Sequence, residues 1–213
     1  MKKIWMIVLT IMVIGLVGCN FLPEVEETTQ AVDLENYYNI STVDDLKDMN
    51  MYQSYQLMND IDLTGEEWVP LGTFDLPFRG NFNGNGYTIS NLTITENHMG
   101  YNGLFGQVEG DIENLNITGV DIDIDDDFLI NVGGLVGVSF GSIQNVTVSG
   151  NITVNSDTGN IYAGLLAGQV MTDLQEVFVE DVFSPNEVQT NHVNGQINIS
   201  STQIDYLGGL IGK

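Results

Sequence analysis

Aliphatic residues recur at alternating positions in short segments spread along the chain. Four segments share one pattern, in which the first, fourth and sixth residues are aliphatic: 89–94, 112–117, 143–148 and 174–179. The fourth and sixth positions lie on one face of a β-strand. The third residue is Asn in three of the four segments, and Asn suits a corner because its side chain can bond to its own backbone. The recurrence of these segments along the chain predicts a regular repeat.

Glycine marks two further repeated elements between these segments. A Gly-Leu-x-Gly element occurs four times, with Ala167 inserted in the third copy. Its predicted corner residues are Gly103, Leu104, Gly106, Gly134, Leu135, Gly137, Gly164, Leu165, Gly209, Leu210 and Gly212. The other element is a glycine followed by alternating aliphatics, and it begins at Gly119, Gly150 and Gly195, with one added residue in the first copy. Glycine suits corners because it adopts positive φ angles and lets neighbouring backbones come close.

Short strands, glycine corners and a repeat of about 30 residues predict an all-β fold, a parallel, right-handed β-helix. Coils about 4.8 Å apart would pair their backbones and fill the interior with aliphatic side chains. Leu115, Val146 and Val177 are then expected to lie on one another. The gap from Gly164 to Gly209 is longer than one repeat, and we place the excess in a loop at 181–194.

A short helix is predicted just before the first coil. Ser41 or Thr42 can cap it, with Asp44 or Asp45 at the matching third position. The apolar residues at helical spacing are Val43, Leu46 and Met49. We expect this helix to cover the open end of the stack, as terminal elements do in repeat proteins.

The N-terminus carries a targeting pattern. Lys2 and Lys3 precede an apolar run at 4–17, which is too short to span a bilayer and fits a signal peptide. The run closes with Leu-Val-Gly-Cys19, which resembles the bacterial lipobox. This predicts a lipoprotein signal peptide at 1–18, a lipidated Cys19 with a flexible tether at 19–38, and a β-helix domain at 39–213. An ordinary signal peptide or an uncleaved anchor, with Cys19 uninvolved, is the alternative.

The repeated elements also resemble a known family. The Gly-Leu-x-Gly corners, the stretch PFRGNFNGNGYTISNLTI and the lead-in DIDL with W-x-P-L-G are similar to GLUG-motif proteins. These are bacterial surface proteins that include the non-catalytic repeat region of IgA-specific metallopeptidases and adhesin-like proteins. The resemblance covers about residues 40–213 and implies location and architecture more than activity. The chain ends directly after the fourth corner, which predicts a repeat domain truncated at its C-terminus.

Charge narrows the classes of function. The chain has 29 acidic and 5 basic residues, for a net charge of −24. Nucleic-acid binding and attachment to anionic lipids through basic patches are therefore not expected, because both need Lys and Arg. An enzyme that cleaves acidic polysaccharides would also repel its substrate.

Three stretches could carry chemistry. Gly84 and Gly86 lie in a glycine-rich loop, but a strand pattern follows it where a phosphate loop needs a helix, so we interpret it as a corner. The acidic run at 121–127 alternates with Ile122 and Ile124, which favours a solvated acidic edge. Weak calcium binding at Asp125, Asp126 and Asp127 is the alternative. The two histidines, His98 and His192, have no partner pattern for zinc.

These patterns predict a non-enzymatic adhesion or interaction module at the bacterial cell envelope, outside the cytoplasm. Its lipid would hold it to the bilayer, and its partner would be a surface protein or a glycan. No cofactor is expected apart from weakly bound calcium. The alternatives are a carbohydrate-active β-helix enzyme and a passive surface spacer.

Overall fold

Parallel pairing of short strands organises the described part of the chain. The computed structural model describes residues 31–157, 160–171, 192–201 and 206–208. In these residues every pair of neighbouring strands runs parallel. The strands stack as a β-solenoid of about four turns, which confirms the predicted fold class.

The elements in chain order are β1 (Asp33–Ile40), α1 (Val43–Lys47), β2 (Gln53–Leu57), β3 (Ile61–Asp62), β4 (Phe82–Asn83), β5 (Thr88–Ser90), β6 (Thr93–Ile94), β7 (Tyr101–Asn102), β8 (Phe105–Val108), β9 (Ile112–Asp125), β10 (Ile130–Val132), β11 (Val136–Ser139), β12 (Ile143–Ser156), β13 (Ile161–Gly164), β14 (Ala167–Val170), β15 (His192–Ser201) and β16 (Tyr206–Gly208).

Three parallel sheets form the sides of the solenoid. The largest has the order β1-β2-β4-β9-β12-β15, with β3, β5 and β6 paired alongside it. The other two have the orders β16-β13-β10-β7 and β14-β11-β8. We name four successive turns by their residues: coil 1 is 53–78, coil 2 is 82–108, coil 3 is 112–139 and coil 4 is 143–170.

Aliphatic and aromatic side chains fill the space between the sheets. Leu115 lies opposite Val146, and both are fully buried, as the sequence predicted. Val177, the third member of the predicted column, lies outside the described residues. In coils 3 and 4, buried residues of β9 pair with buried residues of β12. This register is required, because a shift by one residue would turn each inward side chain to the opposite face.

The prediction that segments 89–94 and 112–117 occupy equivalent positions in successive coils is wrong. Ile89 lies opposite Ile117, and Ile112 lies opposite Phe82. The two segments therefore carry similar patterns on different parts of the coil. One full turn instead leads from Phe82 to Ile112, and the next full turn leads from Ile112 to Ile143.

The prediction that segment 174–179 forms the next strand beside 143–148 is also wrong. Val193 of β15 lies opposite Val148, which is the position that the sequence assigned to Val179. Segment 174–179 itself lies outside the described residues. The predicted loop at 181–194 extends too far, because β15 begins at His192 and pairs with β12 from its first residue.

The repeat that begins at Gly150 and Gly195 is confirmed, because these two glycines pair with each other. Gly150 also pairs with Val120, and a register shift there accommodates the extra residue after Gly119.

The N-terminal helix is confirmed, with Thr42 as its N-cap. The Thr42 hydroxyl accepts from the Asp45 amide at 3.1 Å, and the Asp45 carboxylate accepts from the amides of Ser41 and Thr42 at 3.0 and 2.9 Å. These bonds, led by the one from Ser41, lower the pKa of Asp45. The capping box satisfies amide groups that have no partner within a helix.

The boundary of the folded region lies earlier than the sequence predicted. Residues 33–38, assigned to the flexible tether, belong to β1, which pairs with β2. Six consecutive residues of β1 are exposed, because it is the outermost strand of its sheet. A strand with so little burial needs no apolar alternation, and its sequence therefore lacks the usual signal. The end of the stack is formed by β1 together with α1.

Candidate interaction surface

The outward face of β9 carries the acidic run. Asp121, Asp123 and Asp125 are exposed and alternate with buried Ile122 and Ile124, as predicted. The prediction of a sheet edge holds only in part: β6 pairs with Asp121 and Ile122, and beyond Ile122 the acidic run pairs only with β12 among the described strands. The three carboxylates lie opposite neutral polar residues of β12, which avoids like charges in direct contact: Asn151, Thr153 and Asn155.

The calcium candidates are spread around a turn. Asp126 accepts a hydrogen bond from the Phe128 amide at 3.0 Å, while Asp127 accepts one from the Asp157 amide in the next coil at 2.8 Å. Asp125 is exposed on the face of β9. Within the described part of the chain, no three Asp, Glu, His or Cys side chains are grouped to hold a metal ion. The turn uses the carboxylates of Asp126 and Asp127 to bind backbone amides.

Polar side chains connect successive coils at several corners of the solenoid. One column of such bonds runs down a single corner. In each bond a side-chain oxygen accepts from the backbone amide one coil further on: Ser54 accepts from Asn81, Asn81 from Asp111, and Asp111 from Ser142. Asp60 and Glu67 accept from the amides of Thr88 and Thr95 in the same way, at 2.8 and 2.6 Å. These bonds give part of the acidic surface a structural use that the sequence analysis did not identify. The signal was an oxygen-bearing side chain recurring once per coil.

The repeated asparagines lie at corners, but their side chains do not serve the predicted purpose. Asn91, Asn114 and Asn145 adopt φ angles of 63°, 55° and 52°, a left-handed conformation that Asn tolerates better than most residues. Their side chains bond to neighbouring coils instead of to their own backbone. The Asn145 amide donates to Asn114 at 2.9 Å, and the Asn114 amide donates to Asn83 at 3.3 Å.

The same arrangement perturbs one carboxylate. The Asn91 side chain donates to Asp62 Oδ1 at 2.8 Å, and Thr64 donates to the same oxygen. These hydrogen bonds, led by the one from Asn91, hold the pKa of Asp62 below its ordinary value.

The glycine-rich loop at the start of coil 2 is a corner. The amides of Gly84 and Gly86 donate to the carbonyls of Glu113 and Asn114, at 2.8 and 2.7 Å. A Cβ on Gly84 would lie 2.4 Å from the Asn114 carbonyl oxygen, whereas Gly86 has open space and a φ of +80°. One glycine therefore permits close approach of coils and the other permits the turn.

The Gly-Leu-x-Gly elements line one side of the solenoid, and Leu104, Leu135 and Leu165 are buried. The predicted insertion of Ala167 is wrong, because Ala167 pairs with Val136 in unbroken register. Gly164 follows the pair between Val132 and Ala163, so Leu165 stands where coil 3 has Gly134. The fourth element, at 209–212, lies outside the described residues, although Gly208 pairs with Gly164.

A second glycine column was missed by the sequence analysis. Gly80, Gly110 and Gly141 lie above one another at the corner that leads into the large sheet. A Cβ on Gly110 would lie 1.8 Å from the Gly80 carbonyl oxygen, and one on Gly141 would lie 1.8 Å from that of Gly110. No Cβ fits at such distances, so these positions require glycine. The available signal was their even spacing, one glycine for each turn of the solenoid.

Cations are scarce on this surface, and each described cation contacts an acid. Lys47 pairs with Glu66. Arg79 bonds to Glu109 at 2.8 Å and lies over the Tyr52 ring at 5.4 Å from its centroid. The hydrogen bond to Glu109 raises the pKa of Arg79. The surface that remains between residues 31 and 157 presents carboxylates and neutral groups.

An apolar strip lies on the outside of coils 2 and 3, where the chain passes from the large sheet to the sheet of β7, and Phe74, which lies between Leu71 and Phe78 beside β8, meets it at Tyr101. We name it the corner ridge and define it as Phe74, Met99, Tyr101, Phe128 and Leu129. Met99 is 91% exposed, Phe128 77% and Phe74 67%. The rings of Phe74 and Tyr101 lie 6.3 Å apart, and the side chain of Asn97 donates to the Leu129 carbonyl at 3.3 Å. The ridge thus continues over coils 1, 2 and 3.

An apolar depression lies at the N-terminal end of the stack. It has a volume of ≈ 480 Å³ between the end of α1 and the 67–76 segment. Trp68 forms part of its wall, and the indole of Trp68 donates to the Leu104 carbonyl at 2.9 Å.

Over the described residues, no helix has the length and apolar character needed to cross a membrane.

Comparison with known proteins identifies the repeat in coils 3 and 4. Residues 129–154 match the family model of the GLUG motif. This chain carries a GLUG motif. The matched GLUG segment begins at Leu129 of the corner ridge, passes through the Gly134 corner and ends at Val154 in β12. The resemblance to GLUG-motif proteins that the sequence predicted is confirmed.

Two larger proteins share sequence with this GLUG-containing chain. A protein of Evansella cellulosilytica, provisionally named a Gly-rich membrane protein, is 37% identical over 126 residues, which are 54% of this chain and 14% of that protein. Halomucin of Haloquadratum walsbyi is 31% identical over 176 residues, which are 74% of this chain and 2% of halomucin. The chain therefore spans a small fraction of the length of either relative.

Among solved structures, the chain is similar to a provisionally named immunoglobulin A1 protease from Bacteroides ovatus. The TM-score is 0.39 at 15% sequence identity, and the match covers 78% of this chain and 67% of the other.

Proposed function

We propose that this protein is a lipid-anchored surface lipoprotein of the cell envelope that displays its β-solenoid as a non-catalytic adhesion or interaction module. Cys19 carries the lipid, and the partner is a surface protein or a glycan. The observation that carries the proposal is the use of polar side chains between coils. Carboxylate oxygens of Asp60, Asp111 and Asp127 accept hydrogen bonds from backbone amides of the next coil. These bonds hold successive coils together and give the solenoid a stiff surface of fixed shape.

Two further observations support display at the envelope. The relative from Evansella cellulosilytica is named a membrane protein, and the GLUG repeat occupies the middle of the solenoid. A solenoid suits display because its stacked coils present a long, regular surface for contact. Two or three acyl chains on Cys19 would hold such a module stably to a bilayer, where one chain would bind only marginally.

The lipid anchor is tested by Cys19→Ala in the full chain with metabolic palmitate labelling. Cys19 is the only cysteine, so we expect label in the parent protein and none in the variant. Label in both proteins would contradict the anchor. Fractionation of the same cells should find the parent protein with the membranes and the variant released from them.

The absence of catalysis is tested separately from binding. The purified chain is applied to a glycan array and to immobilised surface proteins, and each bound polysaccharide or protein is then incubated with it to detect cleavage. We expect retention without products. Product formation that depends on time and on protein concentration would contradict a non-catalytic module and would favour the carbohydrate-active alternative. A chain that binds nothing would favour the passive spacer.

A further inference from the structure

The backbone at Met99 conflicts with its side chain. Five non-glycine residues have positive φ angles, and four of them are asparagines: Asn85, Asn91, Asn114 and Asn145. Met99, at φ 52°, is the fifth within the described residues. Asn91, Asn114 and Asn145 use this conformation to donate to the neighbouring coil, whereas the Met99 side chain has no donor for such a bond. Met99 is also 91% exposed, so burial does not compensate for the strain.

Residues that break a local rule without a structural gain mark functional positions. The corner at Met99 would be more stable with Asn, as at the other corners. A methionine there presents a flexible, polarizable apolar group at the tip of the turn, which is typical of surfaces that bind apolar side chains of other proteins.

The rest of the corner ridge extends this apolar surface. Phe128 and Leu129 occupy the equivalent turn of coil 3, and a Cβ on Gly100 would lie 3.6 Å from Leu129 Cγ. The side chains of Met99, Phe128 and Leu129 have no hydrogen-bonding group, and Tyr101, the one member of the ridge with a hydroxyl, is only partly exposed. The chemistry favours an apolar polypeptide surface over a sugar.

Carboxylates lie close in sequence to two members of the ridge. Asp75 follows Phe74, and Glu96 lies three residues before Met99. Asp75 and Glu96 are exposed. The two cations of the described chain, Lys47 and Arg79, contact Glu66 and Glu109 instead. A partner that matches the ridge therefore has positive charge beside its apolar groups.

We propose that the corner ridge is the contact surface of the module and that it binds a polypeptide segment whose apolar side chains are flanked by lysine or arginine. This inference rests on the proposed function, which it deepens by naming the surface and the chemistry of the partner. The apolar centre supplies affinity, and the surrounding carboxylates select the charge of the partner.

The test uses three synthetic peptides of equal length against the full chain in titration calorimetry. One peptide alternates Leu with Lys, the second alternates Leu with Glu, and the third alternates Ser with Lys. We expect binding of the Leu-Lys peptide only, with an affinity that falls as salt rises and screens the charges. Equal binding of the Ser-Lys peptide would overturn the proposal, because it would show that charge alone suffices. Equal binding of the Leu-Glu peptide would overturn the role of the carboxylates.

Variants locate the binding on the ridge. Met99→Asn and Phe128→Ser should each weaken the Leu-Lys peptide roughly tenfold, since each removes an apolar contact. Phe140→Ser is the matched control, because Phe140 is 43% exposed at the corner between β11 and β12, directly after coil 3, and should leave the affinity unchanged. Equal losses in all three variants, or in none, would overturn the proposal.

Thermal unfolding distinguishes an external partner from cover by the chain itself. Met99→Asn should unfold at the same or a higher temperature than the parent, because Asn relieves the left-handed strain and the Met99 side chain is 91% exposed among the described residues. A large decrease in the unfolding temperature of Met99→Asn and Phe128→Ser would overturn the proposal by showing that the ridge packs internally. Failure of the ridge test with retained binding on the arrays would leave the proposed function standing, whereas catalytic turnover would remove it.

Discussion

Coils 1 and 2 fill the same cross-section as coils 3 and 4 in a different way. The first pair has strands of two to five residues and an aromatic interior, in which Phe105 lies 5.2 Å from Phe78 and 5.4 Å from Phe82 between ring centroids. The second pair has two strands of 14 residues, β9 and β12, and its buried hydrophobic residues are all aliphatic.

One position shows the difference directly. Phe105 pairs with Val136, which pairs with Ala167, so the inward side chain becomes smaller from coil 2 to coil 4. Rings fill space from few inward positions, so the strands of coils 1 and 2 can be short. Side chains such as Asp60 and Glu67 then bind the amides that the short strands leave unpaired. In coils 3 and 4 the long strands pair most of these amides with backbone carbonyls, and side chains such as Asp127 bind amides only at the corners.

The largest predicted effect is at the junction between the two halves. Gly110→Ala would force a Cβ against the Gly80 carbonyl oxygen and separate coil 2 from coil 3. We expect a loss of about 5 kcal/mol in the free energy of unfolding, the range in which single substitutions unfold domains. Urea denaturation measures it.

Gly86→Ala is the matched control for this prediction. A Cβ on Gly86 meets open space, so only the positive φ angle is unfavourable, at about 1 kcal/mol. A similar loss in both variants would contradict the steric contact between coils at Gly110, because Gly110 itself has no positive φ angle that a side chain would strain.

The aromatic and aliphatic interiors should differ in their response to truncation. Phe105→Ala should lower the free energy of unfolding by about 4 kcal/mol, because it removes a ring that contacts two others. Val136→Ala, at the paired position of coil 3, should cost about 2 kcal/mol. Equal losses would mean that coils 1 and 2 do not depend on their rings.

The hydrogen bonds that join Asn114 of coil 3 to Asn83 and Asn145 give a smaller effect. Asn114→Ala loses two inter-coil hydrogen bonds and keeps an unfavourable positive φ, for a loss of about 2 kcal/mol. Asn114→Gly relieves the backbone and should cost only about 1 kcal/mol. Chemical denaturation of both variants separates the two contributions, and the reverse order would contradict the left-handed conformation.

The smallest effect concerns pH and coil 1. The pKa of Asp62 is lowered from 3.8 in the folded chain, chiefly by the hydrogen bond from Asn91. The ionised carboxylate therefore stabilises the fold above pH 3.8, and this contribution is lost as the pH falls through the lowered pKa.

Asp62→Asn tests this dependence. The stability difference between parent and variant should be largest near neutral pH and shrink below pH 3.8 in urea titrations. In the Asn91→Ala background the pH dependence of that difference should be reduced. A difference that grows on acidification would contradict the direction of the shift.

The two halves also differ in how well the sequence predicted them. Coils 3 and 4 alternate cleanly, so the pairing of Leu115 with Val146 followed from the pattern alone. Coil 2 misled the prediction, because the pattern at 89–94 matches the one at 112–117 although the two segments lie on different parts of the turn. Local pattern identifies an inward face, but the register between coils depends on corner geometry that lies outside the pattern.

Single residues explain the remaining misses. Gly80, Gly110 and Gly141 stand alone among dissimilar neighbours, so no local motif marked them as a column. Met99 lies in an irregular turn where hydrophobic periodicity carries no information. Its significance depends on a backbone angle and on its exposure, which only the folded chain reveals.

Because each turn returns the chain to the point where it began, one level higher, length and cross-section are independent in this molecule. A duplicated block of one turn, such as 112–142, would align Gly141 of each copy with the glycine one turn before it, and would align Ile143 with Ile112 of the second copy, as the existing blocks do. Each added block would lengthen the protein by about 4.8 Å without altering its width. The gene can thus adjust the reach of the protein in discrete increments by tandem copying alone.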